Sequence, residues 1–202
     1  MTAQEAALRR LVAEIRACRR CVDAPEGKPL LHAPRPVLRA SRTARLAVCS
    51  QAPGTKVYQS GIPFSDRSGD RLREWMGVTK EEFYDEARVT IVPMGFCFPG
   101  QDAKGADLPP RRECAPLWHR DLFAALPRLE LVLAIGSYAQ EWHLGDAAVP
   151  TLQATMRDWR NICGGRRARA SFRCRIRPGA TMLGSRRTIG SRRSFYRCSG
   201  AR

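Results

Sequence analysis

The sequence predicts an α/β fold in which helices cover both faces of a mainly parallel sheet. Three short apolar runs, at 44–49, 89–92 and 129–135, alternate with segments of helical periodicity. Each run leads into a loop that contains glycine or proline before the next helix, which is the pattern of successive strand and helix units. Ligands of such sheets bind beyond the carboxyl ends of the strands, so we expect one shared cleft there.

The elements before and after the first strand follow from local signals. Residues 3–17 predict an amphipathic helix, because their apolar side chains recur at helical spacing between charges: Leu8, Leu11, Val12 and Ile15. Residues 22–43 are rich in proline and basic side chains and predict a surface loop. Further helices are expected at 69–77, at 115–126 and from 137 to 144, and a long irregular connection at 95–114.

The length of 202 residues fits one domain with a substantial core. We expect this domain at 1–160, followed by an atypical Arg-rich tail at 161–202 that is disordered or the product of a frameshift. No run approaches the roughly 18 apolar residues of a membrane span, and no apolar block of a signal peptide occurs near the start. The expectation is a cytoplasmic, nucleoid-associated protein with no membrane partner.

The net charge of +16 is unevenly distributed. Residues 162–202 contain twelve Arg and no Lys, Asp or Glu, so residues 1–161 carry the remaining +4. A mild excess is compatible with a DNA-binding face, since phosphate contacts need a local basic patch. Nonspecific surface basicity explains the charge equally well.

Four of the eight cysteines have a spacing typical of metal ligands. Cys18 and Cys21 form a CxxC at the end of the first helix, and Cys97 and Cys114 lie in or beside proline-containing loops. Soft thiolates from two distant segments suit an iron–sulfur cluster or zinc. The alternative is a set of unrelated buried cysteines; Cys49, in the first strand, is expected in the core.

The order of several short motifs resembles the uracil-DNA glycosylase superfamily, in particular its iron–sulfur branch, family 4. The matching pieces are CRRC, SQAPG, GIPF, GFCFPG and REC, and IGSYAQEWHLG is similar to a later strand–helix junction of that family. The resemblance covers roughly residues 5–160. It implies a three-layer α/β/α sandwich with a mainly parallel four-stranded sheet, a [4Fe–4S] cluster on Cys18, Cys21, Cys97 and Cys114, and hydrolysis of the glycosidic bond of uracil in DNA.

The resemblance also implies roles for individual residues. Five residues stand at positions that the resemblance implies bind the substrate. They are Ala52, Pro53 and Gly54 of the tight loop, the stacking aromatic Phe64, and Met94, which follows Pro93. Catalytic candidates are Gln51, which stands where the family has a glutamate, and Asp66, the nearest carboxylate. Ser137 is a candidate DNA contact. A core Phe64 and a helix-capping Asp66 are the structural alternatives.

Two departures from the family bear on activity. Pro93 stands where the family has a uracil-reading asparagine, and nothing in 162–202 matches the terminal His-Pro-Ser segment. Codons for 173–181 can be chosen so that another reading frame encodes Leu-Pro-His-Pro-Ser-Trp-Arg-Asn, which suggests a frameshift near Asn161. We therefore expect a monomeric DNA-repair glycosylase, impaired if that segment is lost. The alternatives are a noncatalytic DNA- or uracil-binding protein of this fold and a zinc-bearing nucleic-acid-binding protein.

Overall fold

The structure, a computed structural model, describes residues 2–145, 151–157, 173–176 and 196–199. Helices and strands alternate along most of this length. In chain order they are α1 (Ala3–Arg16), α2 (Arg20–Asp23), β1 (Leu46–Cys49), α3 (Thr55–Ser60), α4 (Arg67–Met76), α5 (Lys80–Tyr84), β2 (Val89–Ile91), α6 (Cys114–Ala124), β3 (Leu131–Ala134), α7 (Ser137–Leu144), α8 (Leu152–Arg157), β4 (Arg173–Ile176) and β5 (Tyr196–Ser199).

The central sheet is parallel and has the strand order β2-β1-β3. Val48 in the middle strand pairs with Ile91 of β2 and with Leu133 of β3. The three strands are almost entirely buried and apolar, as expected of a parallel sheet covered by helices on both faces. This confirms the predicted α/β class.

The number of strands differs from the expectation, since this sheet has three strands within the described residues and the resemblance implies four. The resemblance implies that the last strand follows residue 160, in the part of the chain where no terminal His-Pro-Ser segment occurs. The segment β4 carries two arginines in four residues, whereas a strand inside a parallel sheet needs apolar side chains on both faces. It pairs antiparallel with β5, which passes close to β3 without joining the sheet. The rest of the predicted tail lies outside the described residues.

The helices bury their apolar sides in one core that includes the sheet. Leu8 and Ile15 of α1 are buried, as the periodicity predicted, and α1 packs against α6. Phe83 of α5 is fully buried beside β2, and α7 packs against β3 through Ala139. Cys49 is also fully buried, which confirms its predicted place in the core.

The segment between β1 and β2 contains more helix than the sequence indicated. The helix α4 begins at Arg67, because the Asp66 carboxylate caps it by accepting hydrogen bonds from the backbone N–H groups of Ser68 and Gly69. The helix α3 was not predicted. Its six residues bury only Val57, too little apolar periodicity to detect.

No helix in the described ranges combines the length and the apolar character needed to span a bilayer. The longest, α1, has 14 residues and alternates charged with apolar side chains.

Candidate functional site

A pocket opens beyond the carboxyl ends of β1 and β2. Its walls include Ser50 and the loop 52–54 after β1, and Ile91 and Pro93 from β2 and the residues after it. Backbone N–H groups of Met94 and Gly95 donate to the carbonyls of Ser50 and Gln51, at 2.7 and 2.9 Å. These bonds extend the pairing of β1 and β2 into the loops and hold the pocket wall rigid.

The segment before α4 and the first turn of that helix supply another part of the lining, with Phe64, Asp66 and Ser68. Phe64 has φ = 56°, the only positive φ of a non-glycine residue among those the structure describes. A large residue in this left-handed region is strained and persists only where its surroundings hold it. Its carbonyl accepts hydrogen bonds from Tyr84 Oη at 3.0 Å and Arg73 Nη1 at 3.2 Å.

Asp66 combines the helix-capping role with a place in the pocket. Its Oδ1 accepts hydrogen bonds from the N–H groups of Ser68 and Gly69 and from the Ser68 hydroxyl. Its Oδ2 accepts none from the residues that the structure describes. The carboxylate is therefore fixed in orientation through one oxygen, and the other is available to a ligand or a water.

Three other predicted residues lie outside the pocket lining. Gln51 turns its side chain to the long loop, where Nε2 donates to the Leu108 carbonyl at 3.2 Å. Met94 is buried in the core, and its backbone N–H is the part that supports the pocket wall. Ser137 is exposed at the first turn of α7.

Sequence reasoning missed Asp107, a second carboxylate beside the pocket loop. A Cβ placed on Gly54 would lie 3.1 Å from Asp107 Oδ2, so the glycine lets the carboxylate approach the backbone. Asp107 accepts a hydrogen bond from Gln101 Nε2 at 3.1 Å, and the two residues form a β-bridge that folds the loop back on itself. No local motif marks this contact, which depends on a fold of the irregular loop.

A buried histidine supports the pocket from behind. His119 is fully buried in α6, and its Nε2 lies 3.0 Å from the carbonyl oxygen of Pro93, so the tautomer with a proton on Nε2 donates to it. Its ring contacts those of Phe96, Phe123 and Trp142.

The four cysteines predicted as ligands line one cavity on the other side of the loop that follows β2. Cys21, Cys97 and Cys114 are buried, and Cys18 is half-buried. The Cys114 sulfur accepts a hydrogen bond from the Phe96 backbone N–H at 3.4 Å. The fold thus brings the CxxC of the first two helices to the two distant cysteines.

In the described part of the chain, no group of three or more His, Cys, Asp or Glu is placed as a ready metal-ion site. What the four cysteines share is the lining of one cavity. Soft thiolates of this kind suit zinc as well as an iron–sulfur cluster, so the donor set is compatible with both.

Burial raises the pKa of the Cys21 thiol to about 11 and that of Cys97 to about 12. Burial also raises the pKa of Cys114 far above the ordinary thiol value. These thiols are therefore protonated at neutral pH when nothing is bound, and binding a metal centre releases their protons.

A buried ion pair adjoins the cysteines. Arg111 lines their cavity, and its Nη2 and Nε donate to Glu113 Oε1 at 2.9 and 3.1 Å. Burial would raise the pKa of the Glu113 carboxyl, but hydrogen bonds from its own backbone and from Arg111 lower it below the ordinary value. Glu113 is 5% exposed at its side chain and Arg111 17%, so water screens the pair only weakly.

The loop 24–37 connects the cysteine cavity with the pocket. At one end, the Leu30 N–H donates to the Cys21 carbonyl, and Leu30 packs against Cys21 and Cys97. At the other, Tyr58 Oη donates to the Ala33 carbonyl, and Arg35 donates to the carbonyls of α3. A shift of the cysteines would therefore be transmitted through this loop to α3, the helix that follows the pocket loop.

A protein-family model described as the Uracil DNA glycosylase superfamily matches residues 39–181. The matched stretch is more than half of the chain and contains the parallel sheet and every residue of the pocket lining except Val37. It begins after Cys18 and Cys21 and continues past residue 160, where the motif resemblance ended.

Proposed function

The chain belongs to the uracil DNA glycosylase superfamily, and we propose that it hydrolyses the N-glycosidic bond of uracil, or of a related deaminated base, in DNA. Membership supports a glycosylase-type hydrolase with DNA as its partner. The observation that carries the proposal is the pocket beyond β1 and β2, in which Phe64 and the rigid loop 52–54 share one lining.

The base must leave the DNA stack to reach such a pocket, because the glycosidic carbon is inaccessible within the duplex. The Phe64 ring offers a face for stacking, and its T-shaped contact with Phe83, at 5.8 Å between centroids, fixes the ring against the core. Ser50, Asp66 and Ser68 supply the polar groups of the lining. Pro93 contributes no side-chain amide, so the base is read by shape, by these polar groups and by backbone.

Hydrolysis also needs a water beside the sugar carbon that becomes positively charged as the base departs. Asp66 is the carboxylate in the pocket lining, and its Oδ2 is available to orient that water and to stabilise the cationic sugar. Gln51 carries an amide that cannot take a proton as a carboxylate does, and its Nε2 is occupied by Leu108. We therefore assign to Asp66 the role of orienting the water. Gln51 has a different role, which is to fasten the long loop through its hydrogen bond to Leu108.

The four cysteines support a structural [4Fe–4S] cluster, held by Cys18, Cys21, Cys97 and Cys114. When bound, the cluster supplies a cross-link between the first two helices and the long loop, which stabilises the fold rather than the reaction. Iron and sulfide analysis with visible absorption tests the assignment. A colourless protein with one zinc per chain would replace it by the zinc alternative.

We propose in addition that a frameshift near Asn161 replaced the native end of the chain. Sequencing the gene tests this directly, because a nucleotide sequence whose alternative frame cannot encode Leu-Pro-His-Pro-Ser-Trp-Arg-Asn excludes it. If the frameshift is present, the chain as written has reduced activity, and a frame-corrected chain recovers it.

In the deciding experiment, two forms of the protein are incubated with oligonucleotides that carry one deoxyuridine. One form has the sequence as written and the other is frame-corrected. The oligonucleotides are used as single strands and as duplexes. Abasic sites are detected by cleavage with alkali, and an Asp66→Asn variant is the matched control. Alkali-labile sites that depend on Asp66 support the proposal. Tight binding to uracil-containing DNA without abasic sites, by both forms of the protein, would make it a noncatalytic binding module of the same fold.

A further inference from the structure

Arg111 is the one charged residue that, among those the structure describes, lines the cavity of the four cysteines. Its guanidinium is fixed by three hydrogen bonds, two to Glu113 Oε1 and one from Nη1 to the Lys28 carbonyl at 2.7 Å. The last of these bonds reaches into the loop 24–37, which also packs on Cys21. A side chain held from two segments in this way is preorganised toward the cavity.

Both members of the ion pair lie beside the four cysteines. Arg111 lines their cavity, and Glu113 directly precedes Cys114 in the chain. A set of four thiolates around an iron–sulfur core carries a net negative charge. A cation beside it therefore stabilises the set, and an unpaired carboxylate would oppose it.

We propose that Arg111 is the cationic partner of the cysteine cluster, which retains the cluster and raises its reduction potential, and that Glu113 positions the guanidinium. The inference rests on the cluster proposed above. Reduction adds negative charge to the cluster, so a nearby cation favours the reduced form and a nearby anion disfavours it. This holds for whichever redox couple is accessible, since each reduction step adds one electron.

The test uses the full chain, reconstituted anaerobically with ferrous iron and sulfide, in four variants. Arg111→Gln removes the cation, Glu113→Gln removes the anion, and the double substitution removes both. Arg112→Gln is the matched control, because Arg112 is an exposed neighbour outside the cavity lining. Reduction potentials are measured by voltammetry, and the rate of iron release to a chelator is measured without oxygen.

We expect Arg111→Gln to lower the potential and to release iron about 10-fold faster, as is typical when a partner of a metal ligand is lost. Glu113→Gln should raise the potential, and the double variant should return it close to that of the unmodified protein. Arg112→Gln should leave it unchanged. Opposite shifts cannot arise from a general loss of stability, which would affect both single variants in the same direction.

Two results would overturn the inference. The first is that all proteins that bind iron have equal reduction potentials, or that both single variants shift in the same direction. Either outcome excludes the role of Arg111 and leaves the cluster assignment intact. An unmodified protein that binds no iron removes the cluster and this inference together. If Arg111→Gln fails to fold, because it leaves Glu113 buried and unpaired, the double variant is compared with Glu113→Gln. These two proteins differ only in the charge at position 111, so the difference between their reduction potentials measures the effect of Arg111.

Discussion

Gly69 lies so close to Phe64 that a Cβ on the glycine would overlap the carbonyl oxygen of Phe64 and would lie 2.6 Å from its carbonyl carbon. The first turn of α4 thus packs directly on the backbone of the residue with φ = 56°. Together with Tyr84 and Arg73, which bind the same carbonyl, Gly69 holds this strained residue at the pocket.

Gly69→Ala should therefore displace Phe64 and disrupt the pocket. The added methyl group meets backbone atoms that cannot move without changing the turn, so we expect a loss of about 1–3 kcal/mol in unfolding free energy. Glycosylase activity should fall by more than the reduced fraction of folded protein accounts for. Gly27→Ala is the control, since nothing lies within 4 Å of a Cβ there. Equal activity in the two variants would show that the Phe64 backbone need not be held.

The Phe64 ring itself can be tested separately from its backbone. Phe64→Ala and Phe64→Leu both keep a Cβ in the left-handed conformation, but only Leu retains apolar bulk. Stacking of a base on an aromatic ring contributes about 1–3 kcal/mol, so both variants should lose about 10- to 100-fold in kcat/KM and Phe64→Tyr should lose little. Activity in Phe64→Leu close to that of the unmodified protein would indicate packing without stacking.

The sequence predicted the sheet from local signals, whereas the pocket residues were predicted from the motif resemblance; Ala52, Pro53, Gly54 and Phe64 do share one lining. Apolar runs marked the strands, and the glycine and proline of the loop 52–54 marked the rigid turn at the end of β1. The carboxyl ends of β1 and β2 bring Ala52 and Pro93 into one lining, and the segment between α3 and α4 adds Phe64. The motif CxxC likewise marked cysteines that the fold gathers in one cavity.

The sequence could not predict contacts that depend on irregular backbone. The orientation of Gln51 toward Leu108 and the approach of Asp107 to Gly54 both arise from the path of the long loop, which has no periodicity. The support of Pro93 by His119 joins a helix to a strand end across the core. Pairwise contacts of this kind leave no pattern in a single sequence.

Asp66→Asn should separate the two roles of this residue. Asparagine is as good an N-cap as aspartate, so the unfolding free energy should stay within about 0.5 kcal/mol. Loss of the carboxylate should lower kcat by about 10²- to 10⁴-fold, the usual contribution of a general base. Asp107→Asn should change kcat only a few-fold, because Asp107 does not line the pocket. A large loss in Asp107→Asn with activity preserved in Asp66→Asn would transfer the role to Asp107.

Two histidines, the fully buried His119 and the half-buried His143, should make stability fall between pH 7 and pH 5. Burial lowers the pKa of His119 to about 4 and that of His143 to about 3, from an ordinary value near 6.5. Below pH 6.5 the unfolded chain binds protons that the folded chain excludes, so each histidine removes about 2 kcal/mol by pH 5. His119 Nδ1 and His143 Nε2 find no hydrogen-bond partner among the described residues. The Pro93 carbonyl, which accepts from His119 Nε2, favours the charged form of that ring, but burial outweighs it.

Urea unfolding at several pH values measures this loss, and His143→Phe isolates half of it. The variant keeps an aromatic ring next to Phe123, whose ring centroid lies 5.2 Å from that of His143. It should lose about 2 kcal/mol between pH 7 and pH 5 instead of about 4, because only His119 still resists protonation. Carboxylates with lowered pKa values, such as those of Glu82 and Glu113, lose their stabilising charge well below pH 5 and so fall outside this window. A stability that is constant from pH 7 to pH 5 would mean that water or an alternative packing reaches both histidines.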